Sequence, residues 1–294
     1  MSSNILYDEV RVFRQHPHLN EALTVHIDSY LNGFARSEFI TKLASEDIEY
    51  LLALKTVALG FDEGTVKSFT KAHLQSFAKT YAIATPNRVS SLVDIAIHTG
   101  YLTGQRSQTD LRENLLTPTL KFEKCAYSGL QPYLRPLNLL FENAYGHLSS
   151  DRAAIAQISA YALHVYSLNF PIRQRSPCMV VFTRRDAGYE ILLKILQASN
   201  SYTVHPDVVI SLPFFRLSRT FGVSRGHVQK LFQAAETAGL LRIHAKGGKE
   251  IEILPSLQKI ARDTIVCSLA IAKMAFDLTS DQLFQSQRSG LELV

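Results

Sequence analysis

The chain has 294 residues, of which 46% are hydrophobic and 19% are charged, and its net charge is +5 at pH 7. This composition excludes a largely disordered chain and allows two or three domains of about 100–150 residues each. The three cysteines lie far apart and are odd in number, which argues against a disulfide framework. With no apolar run typical of a signal peptide near the first residues, we expect a cytoplasmic protein without a membrane partner.

Residues 1–45 are predicted to form an N-terminal helical segment that packs or dimerises. Apolar and aromatic side chains recur there at helical spacing. The stripe consists of Leu19, Leu23, His26, Ile27, Tyr30 and Leu31. The close pair His16 and His18 has no further ligand nearby in the sequence, so we predict no metal site.

Residues 46–120 resemble a later part of the same chain. At an offset of 139 residues, Val89 aligns with Val228 and Tyr50 with Tyr189, each within a block of matching residues. Self-similarity of this kind is typical of a repeated structural unit. We therefore interpret residues 46–120 as a divergent copy of a unit that spans residues 181–256.

The first copy contains a predicted helix that Thr85 caps and that has Pro86 at its first position, where a missing N–H costs little. A hairpin is expected over residues 103–110. The outward-facing candidates for DNA contact in this copy are Asn87, Arg88, Ser91 and Arg106. Asp94 would repel phosphate, so the alternative is a structural module that packs against a partner.

Residues 121–180 are predicted to be a packed helical connector between the copies. Helical spacing favours helices over Leu134–Leu148 and Arg152–Leu168. Pro132, Pro136, Pro171 and Pro177 are expected to break this region, because proline removes a helix hydrogen bond.

The second copy, residues 181–256, contains two short predicted helices joined by a tight turn. The first runs from Phe215 to Phe221 and ends at Gly222, which can adopt the left-handed backbone of a helix C-terminus. Ser224 is expected to cap the second helix. The buried side of that helix is predicted to consist of Val228, Leu231, Phe232 and Ala235.

Short strands complete the second copy. Residues 208–213 read as a strand before the first helix, and a return strand begins near Leu241. Residues 246–249, Lys-Gly-Gly-Lys, are typical of a hairpin turn, and residues 250–253 alternate polar and apolar side chains as a half-buried strand does.

The run Leu217–Leu241 resembles the helix-turn-helix of bacterial winged-helix transcriptional regulators of the GntR, MarR and Crp type. It shares their Gly-Val-Ser-Arg, their spaced Val and Leu, and their Gly-Leu-Leu. The resemblance implies a mainly α fold with small β-hairpin wings, made of tandem winged-helix domains plus N- and C-terminal helices. It also implies sequence-specific binding of double-stranded DNA by a transcriptional regulator. The charge pattern agrees, because residues 217–250 hold six Lys and Arg against two acids.

In the second copy, the candidate DNA-binding residues are the polar and cationic ones opposite the predicted core or in the hairpin. They are Arg219, Ser224, Arg225, His227, Gln229, Lys230, Lys246 and Lys249. Arg225 suits bidentate contact with guanine, and Gln229 suits adenine. Lys246 and Lys249 are expected to contact phosphate.

Residues 257–294 are predicted to form a C-terminal helix with an apolar stripe. The stripe comprises Leu257, Ile260, Ala261, Thr264, Ile265, Leu269, Ala272 and Phe276. Such a stripe needs cover, either from the N-terminal helices or from a second copy of the chain, and we expect a homodimer.

Other functions remain as alternatives. A plasmid-type replication initiator also uses tandem winged helices, and a chromosome-segregation scaffold uses them to hold proteins. We predict that the chain is not an enzyme and needs no cofactor. The Gly-Val-Ser-Arg-Gly of residues 222–226 matches a hydrolase motif, but it lacks the preceding buried strand that motif requires.

Overall fold

The computed structural model describes residues 3–34, 47–62, 65–106, 114–173, 177–200, 206 and 208–291. The helices are α1 Ser3–Gln15, α2 Leu19–Phe34, α3 Asp47–Gly60, α4 Lys71–Thr80, α5 Pro86–His98, α6 Leu120–Leu140, α7 Arg152–Arg173, α8 Pro177–Phe182, α9 Gly188–Ser199, α10 Phe214–Phe221, α11 Arg225–Thr237 and α12 Pro255–Leu291. The strands are β1 Phe61–Asp62, β2 Thr65–Val66, β3 Phe69–Thr70, β4 Leu102–Arg106, β5 Asn114–Pro118, β6 Val208–Ile210, β7 Leu241–Ala245 and β8 Glu250–Ile253. Short 3-10 turns lie at Gly146–Ser150 and Lys246–Gly248.

The chain is mainly helical and has two small antiparallel sheets of three strands each. Their strand orders are β3-β5-β4 and β6-β8-β7, so in both sheets the last strand lies in the middle. We name the elements α3–β5 repeat 1 and the elements α9–β8 repeat 2. Apart from the small β1–β2 ladder, both repeats run helix, strand, helix, helix, strand, strand.

The offset of 139 residues also relates the ends of structural elements. It carries α5, residues 86–98, onto α11, residues 225–237, and carries β4, residues 102–106, onto β7, residues 241–245. Segments 35–46 and 107–113 lie outside the described residues, and with them the tip of the hairpin expected in the first copy.

Helices α5 and α11 begin and pack in the same way. The Thr85 hydroxyl accepts a hydrogen bond from the Arg88 N–H at 3.3 Å, and the Ser224 hydroxyl accepts one from the His227 N–H at 3.0 Å. Both predicted caps are confirmed. The buried side chains of α5 are Val89, Leu92, Val93 and Ala96, and those of α11 are Val228, Leu231, Phe232 and Ala235.

Three glycines shape the turns of repeat 2. Gly222 ends α10 with φ +67°, as the sequence predicted. Gly247 and Gly248 form the hairpin turn with φ +75° and +78°. A Cβ on Gly248 would lie 2.2 Å from the Leu212 carbonyl oxygen, which is far inside contact distance. The hairpin is therefore held tightly against the start of α10, where the Leu212 N–H donates to the Gly248 carbonyl at 2.8 Å.

Helix α6 differs from the prediction at both ends. It was expected over Leu134–Leu148, but it spans Leu120–Leu140 and contains Pro132 and Pro136. Pro136 has no N–H for the Pro132 carbonyl four residues earlier. That carbonyl instead accepts a hydrogen bond of 2.7 Å from Nδ1 of the buried His26 on α2. A side chain from a distant helix thus satisfies the group that proline leaves free, and the helix continues.

Helix α12 is covered by its own chain. It packs mainly against α7 and α1, and its buried side chains include Leu269 and Phe276. The Tyr145 hydroxyl donates to Asp277 at 2.5 Å, and Arg14 on α1 forms an ion pair with Asp263 at 2.9 Å. The apolar stripe that suggested a homodimer is therefore accounted for within one molecule. Along the residues that the structure describes, no helix combines the length and apolar character needed to cross a bilayer.

Candidate nucleic-acid interface

The outer side of α11 presents polar and cationic groups to solvent. Arg225, Gln229 and Lys230 are exposed, and none of them makes a side-chain hydrogen bond or ion pair with the described part of the chain. The opposite side of the same helix is fully buried, since Val228 and Leu231 are 0% exposed. The helix is therefore anchored by one side while the other is available to a partner.

Further cations lie on the neighbouring elements of repeat 2. Arg219 on α10 and both turn residues Lys246 and Lys249 are exposed. Nη2 of Arg225 lies 3.7 Å from the position that a Cβ on Gly247 would take, so the Arg225 guanidinium lies beside the hairpin turn. The basic face, as we name it, consists of Arg219, Arg225, Gln229, Lys230, Lys246 and Lys249.

Two acids of repeat 2 are already engaged. The Glu236 carboxylate accepts a hydrogen bond from the Ile243 N–H at 2.7 Å. Glu252 accepts bonds from His244 at 2.9 Å and Arg242 at 3.1 Å, and these partners, His244 first, lower the pKa of Glu252. Arg242 is consequently paired, whereas the cations of the basic face have no ion-pair partner in the part of the chain that the structure describes.

His227 holds α11 against the rest of the molecule. Its Nε2 donates to the carbonyl oxygen of Asp186, just before α9, at 2.9 Å. Ser224 is exposed but caps α11. Both were predicted among the DNA-contacting residues. The structure gives each of them an internal partner, while Arg225, Gln229 and Lys230 have none among the described residues.

The equivalent surface of repeat 1 is chemically different. Arg88 was predicted to face DNA, but it forms an ion pair of 2.9 Å with Glu49 on α3, whose side chain is only 2% exposed. Asp94 lies 3.4 Å from Lys71, and the Ser91 hydroxyl donates to the Asn87 carbonyl. Of the predicted candidates, the side chains of Asn87 and Arg106 are exposed and have no partner within the described ranges.

Helix α5 also exposes apolar side chains. Ile95 is 40% and Ile97 37% exposed. At these positions of repeat 2 stand Ala234 and Glu236, so the outer side of α11 is the more polar one. Unlike α11, α5 exposes large apolar side chains on its outer surface.

A buried polar cluster between the repeats was not foreseen from the sequence. Burial raises the pKa of Glu190 on α9 to about 8, and the Glu49 carboxylate adds to this shift. Neither carboxyl oxygen of Glu190 has a partner in hydrogen-bond geometry within the described residues, although Tyr30 lies near enough to lower the pKa slightly. At the 139-residue offset, Glu190 corresponds to Leu51, and that alignment with an apolar position was the signal for its burial.

His26 belongs to the same cluster. Burial lowers its pKa to about 4, and the bond to the Pro132 carbonyl only partly offsets this. Because Nδ1 donates to that carbonyl, Nε2 is the acceptor and faces the Tyr189 hydroxyl at 3.5 Å. The cluster joins α2, α6 and α9 through neutral groups.

The described side chains contain no group of three His, Cys, Asp or Glu that could hold a metal ion. Neither Cys125 nor Cys267 forms a disulfide within the described residues. Compared with known protein families and with curated proteins, the chain matches no family model and no curated sequence.

Proposed function

We propose that this protein binds double-stranded DNA in a sequence-specific manner through repeat 2, as a transcriptional regulator with a winged-helix fold. One observation carries the proposal. The outer side of α11 offers Arg225, Gln229 and Lys230, which have no partners among the described residues, directly opposite a completely buried apolar side. A helix anchored in this way suits the major groove of DNA, where arginine and glutamine distinguish base pairs.

Each part of the basic face has a separate role in this proposal. Arg225 lies in the first turn of α11, the part of a recognition helix that reaches base edges, and would bond guanine. Gln229, one turn later, would bond adenine. Lys246 and Lys249, in the hairpin turn, would neutralise phosphates, which adds affinity without sequence preference.

We further propose that repeat 1 is a winged helix that supports the structure and does not read bases. Arg88 is committed to Glu49, and Asp94 would repel phosphate. Ser224 and His227, which internal bonds occupy, would position α11 instead of contacting bases.

The test begins with selection of bound fragments from a random pool of double-stranded DNA, followed by fluorescence anisotropy on the selected sequence. Arg225→Ala should weaken binding to that sequence by about 1–3 kcal/mol and relax the preference at one base pair. Asn87→Ala in repeat 1 is the matched control and should change affinity less than twofold. No enrichment in the selection, or equal effects of the two substitutions, would contradict the proposal.

The presence of two repeats in one chain keeps the replication initiator as a second candidate, because that class places tandem winged helices on repeated sites. It uses the same base-reading chemistry, so the arrangement of the selected sites separates the two. Iterated direct repeats near an origin would favour an initiator, whereas a single site beside an operon would favour a regulator.

A chromosome-segregation scaffold is favoured only by the exposed Ile95 and Ile97 of α5, which suit a protein surface better than DNA. This alternative predicts that the protein captures a partner protein through repeat 1 and shows no enrichment of any DNA sequence. The same selection experiment therefore distinguishes it. We propose no catalytic role for either repeat.

A further inference from the structure

Strand β4 lies at one edge of the sheet in repeat 1, because among the described strands it pairs with β5 alone. Its register with β5 runs without a shift from Leu102 to Arg106, so the strand is regular. All of its residues after Leu102 are exposed. A regular and exposed edge strand is a template on which another strand can pair.

The pairing with β5 identifies the backbone groups that β4 turns outwards. The Thr119 N–H donates to the Tyr101 carbonyl at 3.0 Å, which makes these two residues a hydrogen-bonded pair just before the first residue of β4. Hydrogen-bonded and non-hydrogen-bonded pairs alternate along an antiparallel ladder. The N–H and C=O groups of Leu102, Gly104 and Arg106 therefore point away from β5, towards the open edge.

The matching edge in repeat 2 is blocked. There the Glu236 carboxylate accepts a hydrogen bond from the Ile243 N–H at 2.7 Å, and the ladder of β7 with β8 shifts register after Ile243. An occupied edge and a bulge both keep a strand from pairing with another chain. At the 139-residue offset Ile97 stands in place of Glu236. Isoleucine has no group that could accept a hydrogen bond from Gly104, the residue that matches Ile243.

Ile97 instead gives the open edge of β4 an apolar cover. Its Cδ1 atom lies 3.5 Å from the position that a Cβ on Gly104 would take, so the side chain lies over the middle of the strand. The same side chain is 37% exposed and is accessible from outside. A strand that paired with β4 would bury Ile97, and Ile97 would shield the new backbone hydrogen bonds from water.

We propose that β4 pairs antiparallel with β4 of a second copy of the chain, across a twofold axis at Gly104, so that the two sheets join. The strand is complementary to itself in this arrangement. The outward groups of Gly104 would bond those of the other Gly104, and the outward groups of Leu102 would bond those of Arg106. Thr103 would lie opposite Gln105, so that a hydroxyl faces an amide, and each Arg106 would face a leucine instead of the other arginine.

The twofold axis also decides in favour of a second copy over an unrelated extended peptide. It brings the two Ile97 side chains together over the paired glycines and removes both from water, whereas a peptide would cover only one. Twofold contacts of this self-complementary kind are the commonest in protein oligomers. The basic face lies on repeat 2, so the pairing does not depend on DNA binding and its test needs no DNA.

The experiment measures the mass of the full-length protein by analytical ultracentrifugation over a range of micromolar concentrations. The wild type is expected to form a dimer that dissociates on dilution. Ile97→Glu introduces the carboxylate of repeat 2, which would occupy the Gly104 N–H and place like charges at the axis. It should weaken dimerisation by about tenfold or more.

Ile95→Glu is the matched control. It makes the same change two residues away, on the opposite flank of α5, where the side chain is 40% exposed. This variant should dimerise like the wild type, because Ile95 does not lie over β4. A loss of the dimer in both variants alike would contradict pairing through the β4 edge.

Gly104→Pro tests the backbone pairing directly. Proline is tolerated in an edge strand where its missing N–H would face solvent, and its Cβ would lie at an ordinary distance of 3.5 Å from Ile97. The variant should keep the wild-type circular dichroism spectrum and lose the dimer. In hydrogen exchange, the amides of Leu102 and Arg106 should be protected in the concentrated wild type, and dilution or Gly104→Pro should remove that protection.

Three further results would overturn the proposal. One is a wild type that remains monomeric at high micromolar concentration. Another is a dimer that folded Ile97→Glu and Gly104→Pro proteins retain, which would mean that the copies associate elsewhere. The third is protection of the β4 amides that does not change with concentration, which would mean that another part of the same chain covers the edge.

Discussion

Repeats 1 and 2 use the same arrangement of elements but present different chemistry on equivalent helices. At matching positions, Arg225 of α11 replaces Pro86 of α5, and Lys230 replaces Ser91. The buried sides of both helices stay apolar, with Val89 and Val228 each 0% exposed. Packing thus constrains one half of the helix, whereas the other half is free to differ with function.

In both helices a side chain of the first turn forms a hydrogen bond with another part of the molecule. Arg88 and His227 occupy matching positions in the first turn, and both reach towards the first helix of their own repeat. In repeat 1 the partner is a shielded carboxylate, and in repeat 2 it is a backbone carbonyl. A hydrogen bond that anchors the first turn of the helix is therefore a feature of both repeats, whereas the basic face belongs to repeat 2.

The largest expected effect on stability comes from a substitution in the hairpin turn of repeat 2. Gly248→Ala should lower the free energy of unfolding by about 3 kcal/mol, because a Cβ would collide with the Leu212 carbonyl and the backbone has a positive φ. Gly247→Ala has a similar φ but no close contact, and should cost about 1 kcal/mol. Urea unfolding measures both.

Hydrogen exchange then locates the damage from Gly248→Ala. Amides of β6 to β8 should lose protection first, whereas those of β4 and β5 should keep it. Equal loss of protection in both sheets would show that the repeats unfold as one unit.

The substitution Glu190→Leu introduces into repeat 2 the leucine that repeat 1 has at the matching position, Leu51. It should change the pH dependence of stability. In the folded protein Glu190 keeps its proton up to a pKa of about 8, whereas in the unfolded chain it ionises near its ordinary value of 4.5. Between these values the folded state binds more protons, so the free energy of unfolding falls as pH rises. Over pH 6.5 to 8 the loss should be about 1.6 kcal/mol, because Glu190 is half ionised at the upper limit.

In this pH window His26 contributes little. With a folded pKa of about 4 against 6.5 unfolded, His26 costs stability mainly as pH falls below 6.5, which is the opposite direction. Urea unfolding at pH 6.5 and 8 should show the slope in the wild type and lose it in Glu190→Leu, whereas Glu250→Leu at an exposed site should keep it. A wild type without the slope would contradict a neutral Glu190.

Removing the hydrogen bonds that anchor the first turns of α5 and α11 should reduce stability moderately and to different extents. Arg88→Ala should destabilise the protein by about 1–2 kcal/mol, since it removes a charged hydrogen bond to a shielded carboxylate. His227→Ala removes a hydrogen bond to a backbone carbonyl at the surface and should cost about 0.5–1 kcal/mol. Thermal unfolding of both variants tests this order, and the reverse order would contradict the larger contribution expected of the Arg88 bond.

The smallest expected effect concerns the lysines of the turn. Lys246→Ala should weaken binding to all DNA sequences alike and reduce the slope of log affinity against log salt by about one. Arg106→Ala, in β4 of repeat 1, should leave that slope unchanged if only repeat 2 contacts phosphate. Anisotropy titrations at several salt concentrations measure both slopes, and equal changes would place repeat 1 on DNA as well.

The sequence by itself determined the helix pair of repeat 2. Gly222 ends one helix, Ser224 starts the next, and Val228 marks the buried side, because each of these signals acts within a few residues of chain. The 139-residue offset likewise indicated that the helix of repeat 1 that contains Val89 corresponds to the helix of repeat 2 that contains Val228.

Only the tertiary structure decided which polar groups remain free for a partner. Arg88 and His227 have the residue types of DNA contacts, but distant parts of the chain, Glu49 and Asp186, occupy them. His26, which stabilises a proline-containing helix more than 100 residues away, follows the same rule. Caps and turns depend on neighbours along the chain, whereas availability depends on what the folded chain brings close, and no local pattern encodes that.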